Sequence, residues 1–418
     1  MLLNCTKHIA SSGVPIYVER IPGIESFSVA VVMFVGSADD RSIGEEGLFH
    51  WFEHAPFRGT KLFPGGANEF DARYGRHAAT CNASTSRTRT TFVTHTPMQF
   101  WREGLLFPMS LAACPLLYDE HIEAERRIIE KEKTERTSDP MYDVHSCISE
   151  HKFGSGHPMS GDTLGTDESL QGMSSNTVRR AHIQGYSWNR TALFVSGDVS
   201  LEDIVAEVDS FIAENPLSEL SERRTSQSYG KVVFKPGTIT GETKTNASHL
   251  NICLPLSFGT EDFEERAAWI MTNAVLGHGM SNPLMHDLRE ERQLVYGVGT
   301  SLSFGPNIFE FAVHADTRTK HIDEILARVD SVLNGEVARS SERLEWVRDN
   351  MRGAKAFIAL STRTSLQLVQ RTTNLFGEPL CYSDVIRLLC AVPHEAVLAR
   401  LDSLASSERQ RFVFKGTD

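Results

Sequence analysis

The chain has 418 residues, too long for one compact core and suited to two domains of roughly 200 residues each. Hydrophobic residues make up 40% and charged residues 23%, which argues against disorder, and no apolar run approaches the roughly 18 residues of a membrane span. The net charge of −12 argues against a nucleic-acid partner, because phosphate binding needs a basic face.

The N-terminal sequence MLLNCTKHIASSG has neither the basic-then-apolar order of a secretory signal nor the Arg-rich pattern of a mitochondrial presequence. The first strand is expected over Phe27–Val35, ended by Gly36 and Ser37. A helix in EGLFHWFEHAPF follows, then a Gly-rich turn and an extended run, CNASTSRTRTTFVTH. Helical patterns resume over 99–113 and 119–137, and TALFVSGDVS (191–200) reads as a strand leading into the amphipathic helix LEDIVAEVDSFIAEN.

The polar stretch 216–230, PLSELSERRTSQSYG, is the linker candidate. Beyond it the order restarts: strand HLNICLPLSF, helix ERAAWIMTNAVLG, extended YGVGTSLSF, strand IFEFAVHA, helix KHIDEILARVDSVLN. The recurrence implies an internal duplication. The expected fold is α+β, with domains 1–215 and 231–418, each a mainly antiparallel sheet with helices packed on one face. The seven cysteines are scattered and form no CxxC pair, which argues against a cysteine metal site or a disulfide framework. Reduced thiols point to a cytoplasmic protein without membrane attachment.

His50-Trp51-Phe52-Glu53-His54 is an HxxEH sequence. Residues four apart share a helix face, so both imidazoles can reach one ion, with Glu53 close to the same side. This inverts the HExxH order of many zinc peptidases. Zn²⁺ suits two imidazoles and a carboxylate with one position left for water, whose proton a neighbouring carboxylate takes. Ile122, Glu125, Ile129 and Glu132 are spaced 3, 4 and 3 and form one inward stripe of the next long helix. Burying two carboxylates without a partner is costly, and a cation offsets the cost. Glu132 is the choice for third ligand, with Glu125 behind it as a supporting or proton-handling group. Glu130 falls well off the stripe, and Glu123 and Glu135 flank it less favourably.

At these residues the sequence resembles the pitrilysin-type metallopeptidases, which include the mitochondrial processing peptidase and insulin-degrading enzyme. GLFHWFEHAPFRGT is similar to the family's metal helix and following turn, NASTSRTRTTF to a strand beside it, and ERRIIEKE to the stretch ending in the third ligand. GHPMSGDTLGTDESL and NRTALFVSGDVS fit later segments of the first domain. LGHGMSNPLMHDLREERQLVYG resembles the second-domain segment that holds an Arg and a Tyr, here Arg289 and Tyr296.

The resemblance implies a zinc endopeptidase with ligands His50, His54 and Glu132, Glu53 as general base and Glu125 at the second acidic position. It further implies an edge strand over Asn82–Phe92, with Asn82 and Ala83 beside the metal, that pairs with an extended peptide substrate. Arg289 and Tyr296 would contact substrate carbonyls and the oxyanion. Two domains are half of a clam-shell chamber, so a homodimer is implied, or a heterodimer with a related subunit. The alternative is a catalytically silent or scaffold subunit that binds peptides.

Two departures stand out. Pro56 replaces the usual aliphatic residue and should end the helix, and the Gly75–Asn82 turn is longer than usual. His77, His95, His278 and His286 read as structural or surface residues, and Cys81 as a buried, inert thiol.

Overall fold

Runs of β-branched and aromatic residues bounded by Gly, Pro and polar turns produce two sheets. The computed structural model describes residues 4–40, 45–220, 229, 234–256, 262–305, 308–358, 360–376, 380 and 382–417. The first sheet contains β1 (Asn4–Ile9), β2 (Pro15–Arg20), β3 (Ser26–Met33), β4 (Thr80–Thr85), β5 (Thr90–Pro97) and β6 (Thr191–Gly197). Their order is β1-β2-β6-β3-β5-β4, with only β2 and β6 parallel.

Helices α1 (Leu48–His54), α2 (Gly66–Tyr74), α3 (Trp101–Ala113), α4 (Asp119–Thr137), α5 (Tyr142–Phe153), α6 (Ser175–Gly185) and α7 (Leu201–Glu214) follow in the first half of the chain. Alternation along β3 sorts its neighbours. Phe27, Val29, Val31 and Met33 pack with Phe49 and Phe52 of α1, Phe107 of α3, Ile122 of α4, Val178 of α6 and Ile204 of α7 in the main core. Ala30 and Val32 face the other way.

The second sheet contains β7 (Gly237–Glu242), β8 (Ser248–Pro255), β9 (Val295–Gly305), β10 (Ile308–Thr317) and β11 (Gln410–Lys415), in the order β7-β11-β8-β10-β9. Only β7 and β11 run parallel. This is the order of the first sheet without its outermost strand, so the recurrence read from the sequence is present as topology. Helices α8 (Phe263–Gly277), α9 (Ile322–Leu333), α10 (Ser341–Ile358), α11 (Thr362–Phe376), α12 (Tyr382–Cys390) and α13 (His394–Ser406) complete the second half. Leu250, Ile252 and Leu254 of β8 pack with Ala268, Met271 and Val275 of α8 and with Ile325 and Val329 of α9.

Each unit takes a segment from the other half of the chain. One unit comprises Met1–Arg136, Ser155–Tyr229 and Ala356–Arg371, the other Thr137–Gly154, Gly230–Lys355 and Thr372–Asp418. Leu366 of α11 packs on Tyr17, Ala30, Val32 and Phe194, the second face of the first sheet. Val144 of α5 packs on Cys253, Ala312, Phe412 and Phe414, the second face of the other sheet. The division into 1–215 and 231–418 therefore needs two exceptions. Each sheet has its main helical layer on one face and a single borrowed helix on the other. Of the expected linker, residues 221–228 and 230 lie outside the described residues. Among the described residues, no helix is long and apolar enough to cross a membrane.

Candidate metal centre

The short helix α1 is held at both ends by features around it. Its N-cap, Gly47, has φ 81°, a left-handed conformation that glycine adopts without steric cost. Glycine offers no capping side chain, and Asp40 supplies one from upstream. Its carboxylate accepts the Gly47 amide at 2.7 Å and the Phe49 amide at 3.0 Å. Leu48, Phe49, Trp51 and Phe52 are fully buried and fix the helix against the core. At the other end Pro56 has no amide to give to the Phe52 carbonyl, and α1 stops at His54. A 3-10 turn, Ala55–Arg58, follows, as the proline implied.

This anchoring sets His50 and His54 side by side, with ring centres 4.7 Å apart. Glu132 of α4 meets both: Oε1 lies 3.5 Å from His50 Nε2 and Oε2 lies 3.4 Å from His54 Nε2. The stripe on α4 is as the periodicity requires, with Ile122, Glu125 and Ile129 buried. Glu132 is half-buried, and Glu123, Glu130 and Glu135 are exposed. Among the described residues, His50, His54 and Glu132 are the group whose ligand atoms gather within 4.8 Å of one another. Two imidazole nitrogens and a carboxylate form a common zinc donor set. Bonds of about 2.0–2.1 Å in tetrahedral array separate donor atoms by about 3.4 Å, so these residues fit zinc.

The outer nitrogen of His54 is also engaged. Nδ1–H donates to Glu125 Oε2 at 3.1 Å, and Glu125 Oε1 accepts from Arg58 Nε. Burial alone would lower the His54 pKa, but the hydrogen bonds to Glu125 and Glu132 and the charge of Glu53 outweigh it and raise it to about 9. Hydrogen bonds from His50 and then His54 hold the Glu132 carboxyl far below its ordinary range. Burial would raise the Glu125 carboxyl, yet His54 and Arg58 more than offset it. The carboxylates thus favour positive charge at His54. Both oxygens of Glu125 are thus engaged, one by His54 and the other by Arg58.

The remaining expected residues divide between the units. Asn82 is exposed and Ala83 half-buried on β4, the edge strand of the first sheet. Thr85 Oγ1 donates to the Phe49 carbonyl at 3.4 Å, which ties β4 to α1. The single edge strand read over Asn82–Phe92 is instead a hairpin. Its turn is closed by the Ser86 amide on the Arg89 carbonyl at 2.8 Å, and β5 lies inside the sheet between β3 and β4. In the second unit, the Arg289 guanidinium lies over the Tyr296 ring, 5.2 Å from its centre, and Tyr296 is 86% exposed.

Glu53 is half-buried beside His54. His95 bonds Ser28, His278 bonds Asn350, His286 pairs with Glu291 and His77 packs on Phe100, so each has a partner within the protein. Burial and the charge of Asp71 push the Cys81 thiol up to about 11, consistent with an inert group. Sequence reasoning did not single out Asp40 or Arg58. The FRGT turn after the metal helix was the available signal for Arg58, and Asp40 had none.

The pattern of Insulinase (Peptidase family M16) matches residues 16–162, and that of the Peptidase M16 inactive domain matches residues 172–349. An uncharacterized zinc protease of Bacillus subtilis is 24% identical over 398 residues, covering 94% of this chain and 93% of that protein. One from Streptomyces coelicolor is 22% identical, over 93% of this chain and 84% of its own. The crystal structure of a protease from Helicobacter pylori superposes with a TM-score of 0.84 at 16% identity, covering 99% of this chain and 100% of that one. A peptidase M16 inactive domain from Pseudomonas fluorescens gives 0.82 at 17% identity, over 100% and 99% of the two chains. These two likenesses show the fold. With both halves matched by patterns of one family, the chain belongs to peptidase family M16, the pitrilysin-type metallopeptidases.

Proposed function

We propose that the protein is a zinc-dependent endopeptidase that hydrolyses peptides or unfolded segments bound as an extended strand. The observation that carries this reading is the convergence of His50, His54 and Glu132 with Glu53 beside them. Zinc, when bound, is a Lewis acid that brings the pKa of a coordinated water to about 7. Glu53 accepts the proton released and returns it to the leaving amine. His54 is held in register for the metal by Glu125. The edge strand β4, tied to α1 through Thr85, receives the substrate by main-chain pairing, with Asn82 and Ala83 in contact with it. Such pairing needs few particular side chains and favours loose specificity.

Arg289 and Tyr296, already packed on each other, serve substrate carbonyls and the oxyanion. In this reading two chains form the working chamber, as a homodimer or with a related subunit, and the Arg–Tyr pair of one protomer serves the metal of its partner. The scattered thiols of Cys81, Cys114, Cys147, Cys253 and Cys390 support a cytoplasmic location. A second reading, a silent peptide-binding subunit, draws on the match of residues 172–349 to the family's inactive domain. Against it, the first half retains all three ligands and the base. A time course on a mixed peptide library, with and without chelator, decides between them. Chelator-sensitive cleavage is expected, and peptide binding without cleavage would overturn the enzyme reading.

A further inference from the structure

The two imidazoles of the metal centre are not equally supported. His54 Nδ1 donates to Glu125, whereas His50 Nδ1 is buried with no hydrogen-bond partner. The hydrogen-bonded support behind the pair therefore lies on the His54 side. Glu125 is 5% exposed, and its second oxygen is taken by Arg58 Nε. Arg58 reaches it from the end of the 3-10 turn Ala55–Arg58, and that turn is itself clamped. Gly66, at φ +60°, comes so close that a Cβ there would meet the Phe57 carbonyl oxygen at 2.0 Å and the Arg58 carbonyl carbon at 2.7 Å. Only glycine allows that approach, so the backbone carrying Arg58 has little freedom to move.

We propose that Arg58 is a positioning residue for the metal centre: it fixes the Glu125 carboxylate, which in turn fixes the His54 ring for ligation. The inference rests on the reading of His50, His54 and Glu132 as zinc ligands. Arg58 does not touch the metal position. Its planar guanidinium donates along one direction to one carboxylate oxygen and leaves the other for His54 Nδ1. Partners behind a ligating histidine set its ring orientation and typically change metal affinity by about 10–100-fold when removed.

The test is a thermodynamic cycle on zinc affinity, measured by competition with a chromophoric chelator. The variants are Arg58→Met, Arg58→Lys, Glu125→Gln and the double variant Arg58→Met/Glu125→Gln. Arg58→Met is expected to weaken zinc binding about tenfold or more, and Arg58→Lys to recover part of the loss. In the Glu125→Gln background, Arg58→Met should change affinity by less than about twofold, because the group it acts through is gone. An equal loss in both backgrounds would overturn the proposal, as would no loss in either. Circular dichroism checks the fold, and Arg58→Gln replaces Arg58→Met in the cycle if the latter does not fold. Failure of the underlying metal reading looks different, since the unsubstituted chain would then bind no zinc.

Discussion

The carboxylate of Asp40 accepts the backbone amide of Phe49 at 3.0 Å and so closes, from outside the helix, the first turn of the element that carries both histidines. A seven-residue helix has little stability of its own, and its first amides need acceptors. Asp40→Ala leaves the Gly47 and Phe49 amides without theirs and should cost about 2 kcal/mol or more, read from urea unfolding. Asp40→Asn keeps an acceptor and should cost less. Equal, negligible losses in both variants would mean that the hydrophobic face of α1 suffices to hold it.

The ligand assignment predicts close to one zinc per purified chain. Glu132→Gln should remove most of it, whereas Glu130→Gln, on the exposed face of α4, should leave it unchanged. Metal analysis of the two variants is enough, and matching losses would place the ligand face of α4 elsewhere.

Glu53 lies beside the histidines without belonging to the group that converges on one point. Glu53→Gln should retain zinc, fold and peptide affinity while the single-turnover rate falls at least about a hundredfold. Near-normal turnover would remove Glu53 as the base, and loss of zinc would make it a ligand.

A chamber shared between protomers predicts complementation. Chains carrying Arg289→Ala, mixed with chains carrying Glu53→Gln, should regain some activity, because a mixed dimer contains one intact set. No recovery, with subunit exchange demonstrated independently, would mean that each chain completes its own site or uses a different partner.

Glu19 predicts a pH effect remote from the metal. It pairs across strands with Cys5 and Ser196, is 2% exposed and has one oxygen without a hydrogen-bond partner. Burial raises its carboxyl from 4.5 to about 7. The folded chain therefore holds this proton more tightly than the unfolded chain, so the stabilisation is full below pH 4.5 and is lost as pH rises through 7. The loss amounts to about 3 kcal/mol. Glu19→Gln should match the unsubstituted protein near pH 4 and exceed it in stability at pH 8. Parallel stability curves would show that Glu19 does not titrate in this range.

The HxxEH helix was legible from sequence because its chemistry is local: a four-residue spacing brings two imidazoles to one face whatever the rest of the chain does. Glu132 was legible for a related reason, since periodicity singled out the inward stripe of α4 and the family resemblance selected the same residue. Repeating element order likewise announced two similar sheets. The hairpin at Ser86–Arg89 went unread because the run has no Gly or Pro to mark its turn, and strand propensity continues through it. What only the tertiary structure decided depends on closure between distant segments. Periodicity shows that a helix has a buried face but not which sheet receives it, so the assignment of α5 and the start of α11 to opposite units had no local signal. Asp40 and Arg58 gained their roles in the same way. An ordinary surface-type charge becomes a cap or a support only where folding brings it to a buried amide or carboxylate that water no longer reaches.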